Sequence, residues 1–133
     1  MPNRTIEIHD SVLAKVSFVK SEAQLHFSPV YIHQSEGVPG VDVGTGWVQE
    51  AILHIFDANV EGSFSEFPVD LTNGQTQIGQ RFFDNEIPVP LKHKGPFALR
   101  LDAIWKREVM TFNGSGADLE LLGEAEYVEE VRL

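Results

Sequence analysis

Cysteine is absent from the 133-residue chain. Its absence excludes disulfides, thiol catalysis and Cys-ligated zinc or iron–sulfur centres. Positive charge is scarce: 10 Lys and Arg stand against 20 Asp and Glu, a formal net charge of −10. Such a field repels phosphate backbones and anionic lipid surfaces, so neither nucleic acid nor a membrane is an expected partner. No apolar run approaches the roughly 18 residues that a membrane-spanning helix needs. The opening Met1-Pro2-Asn3-Arg4 lacks the apolar stretch of a signal peptide, and a cytoplasmic location is therefore expected.

Several catalytic and metal-binding patterns are missing too. There is no His-x-His, no His-x-x-x-His, no histidine–glutamate motif of the cupin kind and no Gly-x-Ser-x-Gly. Ligand sets on strands usually alternate along one face or converge from neighbours, so the five histidines are expected to bind no metal. Gly44-Thr45-Gly46 lacks the Gly-Lys-Ser/Thr ending of a phosphate loop. No catalytic residue and no cofactor are expected.

What is present is period-two alternation. In residues 97–105, Phe97, Leu99, Leu101, Ala103 and Trp105 fall on one side of an extended chain, with Arg100 and Asp102 opposite. That pattern marks a half-buried strand, because successive side chains point to opposite faces. Val12, Ala14, Val16 and Phe18 repeat it, as do Leu25 and Phe27. Pro29 has no backbone donor, which predicts an edge or a bulge there. Residues 34–46 hold Gly37, Pro39, Gly40, Gly44 and Gly46 and read as the longest loop. Residues 47–56 are apolar on both sides, which predicts a central strand or the lining of a cavity. Asn73-Gly74 and Asn113-Gly114 predict tight turns, since both residues tolerate positive φ. Residues 124–132 read as strand, with a short helix as the alternative, and Gly123 marks a bend or bulge.

About ten short strands at 8–12-residue spacing predict a single all-β domain over residues 1–133. The expected form is an antiparallel β-sandwich or flattened barrel, jelly-roll-like.

Two surfaces are candidates for function. The acidic row Glu120, Glu124, Glu126 and Glu130, with Tyr127 nearby, is either a charged edge that resists aggregation or a stripe that docks a basic protein. The alternative is a small-molecule pocket, or less favoured an active site, formed by His26, His54, Arg100 and Asp102. His9-Asp10 invites a charge pair, but neighbours in a strand point apart, so Asp10-Ser11 is expected to make a turn.

Ile8-His9-Asp10-Ser11-Val12-Leu13, with Gly123-Glu124 as a further point, resembles the apolar-His-Asp-Ser-x-Leu opening of small uncharacterised bacterial all-β proteins. Some of those are similar to immunity proteins of polymorphic toxin systems and to mobile gene-cassette products. The resemblance implies a bacterial interaction or accessory protein and transfers no catalytic residue. The first expectation is thus a non-enzymatic module that binds a protein partner or a second copy of itself.

Overall fold

A computed structural model describes residues 2–132 and places eleven strands in one antiparallel sheet. In chain order these are β1 (Asn3–Glu7), β2 (Val12–Val19), β3 (Glu22–Ser35), β4 (Gly44–Phe56), β5 (Asn59–Glu61) and β6 (Val69–Asp70). β7 (Asn73–Ile78), β8 (Arg81–Asp84), β9 (Glu86–Val89), β10 (Lys92–Ala103) and β11 (Glu108–Val131) follow. Single 3-10 turns occur at Ile8–Asp10 and Ile104–Lys106. Among the described residues no helix is long and apolar enough to cross a membrane.

The main path through the sheet runs β6-β2-β3-β4-β11-β10-β7-β8. Two strands are long enough to change partners along one edge. β3 pairs with β2 over its first half and with β1 over its second, β9 lying beyond β1. β11, 24 residues long, pairs with β10 along its first half, and with β5 and then β4 on the opposite edge. The sheet curls into a half-barrel, nearer the expected flattened barrel than two stacked layers. Leu71 N–H donates to Ser11 O and Thr72 N–H to Asp102 O, which ties the β2 end of the curl to the β10 end.

The inner face is apolar apart from Thr76, the register partner of Leu99 on β7. Leu25, Leu53, Leu99, Leu101 and Phe112 are fully buried, and cross-strand registers place Leu25 beside Leu53 and Leu99 beside Phe112. Alternation identified Leu25, Leu99 and Leu101, and bulges explain where it failed. Between Phe27 and Val30, β3 gains one residue over β4, at Pro29 as expected. The inward set therefore passes from Ala23, Leu25 and Phe27 to Val30 and Ile32. Tyr31 and His33 turn to the outer face as a result. A second bulge after Leu13 replaces the expected row of Val12, Ala14, Val16 and Phe18: Leu13 is buried, Val16 packs against the core, and Phe18 is exposed.

Three further expectations are corrected. Trp105 is not on the core face but 87% exposed, because β10 ends at Ala103 and the chain reverses through the 3-10 turn. Arg107, at φ 54, completes that reversal. Asn73-Gly74 opens β7 opposite Asp102 and Leu101 instead of turning. Gly79, at φ 61, lies at the reversal between β7 and β8. Asn113-Gly114 runs straight through β11, where a Cβ at Gly114 would meet Phe56 O at 2.5 Å. In both Asn-Gly pairs the glycine provides room for a neighbouring backbone, not a turn.

Candidate functional site

The outer face of the sheet carries most of the polar groups, and β11 supplies seven of the 20 acidic residues. As expected, residues 124–131 are strand rather than helix. The acidic row is not one straight stripe, however. β11 gains two residues over β4 between Leu122 and Glu126, around Gly123 at φ 70, and shifts again between Tyr127 and Glu129. Glu120 and Glu126 lie on the outer face, opposite Ile52 and Val48. Glu124 sits in the bulge. After the second shift Glu129 joins the outer face opposite Gly46, while Glu130 turns to the other face beside Tyr127. Tyr127 stacks obliquely on Trp47, ring centroids 5.5 Å apart, and remains half exposed. Leu122 and Val128 are exposed among the glutamates.

Glu120 has a partner that charge counting alone does not reveal. His54, on β4, donates from Nδ1 to Glu22 Oε2 at 2.7 Å and from Nε2 to Glu120 Oε1 at 2.9 Å. Gln24 also donates to Glu22, at 2.7 Å. Burial alone would lower the His54 pKa, but the hydrogen bonds to both carboxylates outweigh it and hold the imidazole above its usual value. Glu22 is held below the usual carboxylate range by the His54 hydrogen bond. The sign of the pH effect follows. A raised histidine stabilises the fold below about pH 6.5 and loses that contribution as pH climbs through its folded value. A lowered glutamate contributes above about pH 4.5 and loses its contribution as pH falls. His54→Gln is thus expected to destabilise by about 1 kcal/mol between those limits. Thermal melts of both proteins across pH 4–9 check this, the gap narrowing above neutrality.

The structure does not gather His26, His54, Arg100 and Asp102. His26 lies near His54 on the outer face, its pKa pushed down by burial and then by the charges of Lys15 and His54. Arg100 and Asp102 pair with each other on β10 at 3.3 Å, and β11 separates them from β4. None of the four lines any of the five principal surface clefts. The apolar inner residues of β4 are core: Ala51, Leu53 and Ile55 are buried.

A second polar cluster escaped the sequence reading because the Pro29 bulge creates it. Thr5, His33 and Ser35 are buried on the outer face, beneath the loop between β3 and β4. Gly40 N–H donates to His33 Nδ1 at 2.6 Å, Asn3 Nδ2 to Gly37 O at 2.8 Å, and Ser35 Oγ to Val43 O at 2.7 Å. These bonds hold the loop down. Since His33 Nδ1 accepts, the ring proton of the neutral form sits on Nε2, which has no partner among the described residues. Glu7 Oε1 lies 3.5 Å from His33 Nδ1. Glu86 faces Glu7 across the β1–β9 pair and accepts from Thr5 Oγ1 at 3.2 Å. Burial raises the pKa of both carboxyls. Tyr31 reaches across Gly46, where a Cβ would fall on its hydroxyl, to donate to Glu129 at 3.3 Å. Burial and the Glu129 charge push its phenol up to about 12.

His9 and Asp10 do meet, contrary to expectation, because the 3-10 turn sets their side chains 3.0 Å apart at His9 Nε2 and Asp10 Oδ2. With Glu7 they bring three potential ligand atoms together. Asn85 Oδ1 accepts from His9 N–H, and its amide nitrogen faces His9 Nδ1. Ser11 makes the expected turn: its hydroxyl donates to Glu7 O at 2.8 Å and accepts from Tyr31 N–H at 3.0 Å. Among the described residues no serine hydroxyl bonds a histidine nitrogen. The networks of this outer face fasten strands and a loop.

Comparison with protein-family models, curated proteins and solved structures finds no match to the chain.

Proposed function

We propose that the protein is a non-enzymatic interaction module of the cytoplasm that docks a basic protein on the second half of β11. The observation that carries this reading is the make-up of that half-strand. Among the described residues it pairs with β4 on one side only, and it displays Leu122, Tyr127 and Val128 among Glu120, Glu124, Glu126, Glu129 and Glu130. An edge protected only against aggregation needs charge and bulges. Exposed apolar and aromatic groups between the charges supply, in addition, the contact area from which binding energy comes. The net charge of −10 favours a basic partner and speeds its encounter. The resemblance of residues 8–13 to immunity-like bacterial proteins agrees with a basic toxin as that partner.

The test is affinity capture from the source cells at low salt, comparing the wild-type chain with a Glu124→Lys, Glu126→Lys, Glu129→Lys variant. The expected result is one salt-sensitive partner whose recovery falls at least about ten-fold with the variant. Equal recovery by both proteins overturns the reading, and so does a wild-type chain that stays monomeric and partnerless at low salt.

A further inference from the structure

We infer that the partner is held by strand addition: an extended segment alternating basic and apolar residues extends the sheet along the free edge of β11. This rests on the proposed interaction reading and specifies how that interaction is made. The ladder between β10 and β11 ends abruptly. Lys92 pairs with Asp118, Leu119 N–H donates to Leu91 O at 2.9 Å, and the residue before Leu91 is Pro90, which has no N–H. Beyond Leu119, β11 pairs only with β4 among the described residues. Backbone groups alternate sides along a strand. Leu119 directs its N–H away from β4, so Leu121 presents its N–H and C=O on that same side, where among the described residues no strand lies beside them.

The two faces of this edge differ, and they specify the occupant. Glu120, Glu126 and Glu129 stand on the outer face, whereas Leu121 and Tyr127 lie on the inner face beside the core. A strand added here therefore sets Lys or Arg opposite the glutamates and apolar side chains over Leu121 and Tyr127, the alternation that cross-strand pairs reward. A second copy of the same edge would place glutamate against glutamate, which charge repulsion opposes.

The probe is a ten-residue peptide of alternating Lys and Val, with two versions N-methylated on one or the other set of alternate amides. Methylation removes donors from one edge of the peptide and leaves its charge intact. The parent peptide is expected to bind the whole protein and to slow hydrogen exchange at the Leu121 amide. One methylated version is expected to bind at least about ten-fold more weakly and the other almost unchanged. If both methylated versions bind as well as the parent, only side chains make the contact: strand addition is wrong while the acidic docking surface survives. A parent peptide that fails to bind at millimolar concentration overturns the inference, whereas the docking reading is still decided separately by the capture experiment. A free protein already dimeric, with the Leu121 amide protected, overturns it in favour of a second copy.

Discussion

Phe112→Ala is expected to destabilise the fold by about 3–5 kcal/mol, the cost of removing a fully buried aromatic ring and leaving its space partly unfilled. Phe112 lies on the inner face of β11 between two neighbours: Leu99 is its register partner on β10 and Val60 its partner on β5. A backbone shift of β11 cannot refill the site without breaking one of those pairings. Urea denaturation checks the value, with the midpoint lowered and the slope unchanged. Trp105→Ala supplies the contrast. Trp105 is the larger side chain and shares the alternation of residues 97–105, yet it is 87% exposed, so its loss is expected to change stability by no more than about 0.5 kcal/mol. A cost of several kcal/mol at Trp105, or a negligible one at Phe112, would contradict the placement of the core.

Gly74→Ala is expected to cost about 1–3 kcal/mol or more, through collision rather than lost backbone freedom. A Cβ there would lie 2.6 Å from Arg100 O and 2.9 Å from Ile8 Cδ1. Arg100 belongs to the β7–β10 ladder, opposite Gln75, and cannot retreat without disturbing it. Ile8, the first residue of the 3-10 turn after β1, is fully buried. Gly79→Ala separates the two causes. Gly79 has φ +61 and nothing within 4 Å of an added Cβ, so its penalty of about 1–2 kcal/mol comes from the left-handed backbone alone. Enlarging the substituent to valine should worsen the Gly74 variant steeply. At Gly79, asparagine should recover much of the alanine loss, since it tolerates that conformation. Equal responses at the two sites would refute the close approach of β7 to β10.

These positions also show what the amino-acid pattern could reveal. Leu99, Leu101 and Leu25 were legible as core because each lies in a run with period two, whereas residues 47–56 are apolar on both sides and only the folded sheet shows that Leu53 is turned inward. Pro29 and Gly123 announced bulges through their own backbone chemistry. What alternation cannot deliver is parity beyond a bulge. One added residue at Pro29 moves Tyr31 and His33 from the inward set to the outward one, and with them the polar cluster under the loop. Trp105 was misplaced for a related reason, since nothing local distinguishes the last residue of a strand from the first of a reversal. Asn73-Gly74 has the composition of a turn, but a glycine required for close approach and one required for positive φ look alike in sequence. Of the candidate surface, Glu120, Glu126 and Tyr127 could be placed on the strand from their spacing. The clamp of His54 between Glu22 and Glu120 could not, because it joins three strands whose registers only the folded sheet defines. Glu129 was hidden by the second bulge.

β11 follows every one of its partners in the chain, and it is the strip that joins β4 to β10. During synthesis the β3–β4 pair and the β7–β10 pair can each form as they leave the ribosome, but they remain two half-shells until β11 emerges between them. Until then the apolar faces of Leu53 and Leu99 stay open to water and to other chains, so nascent molecules need shielding for longer than their size suggests.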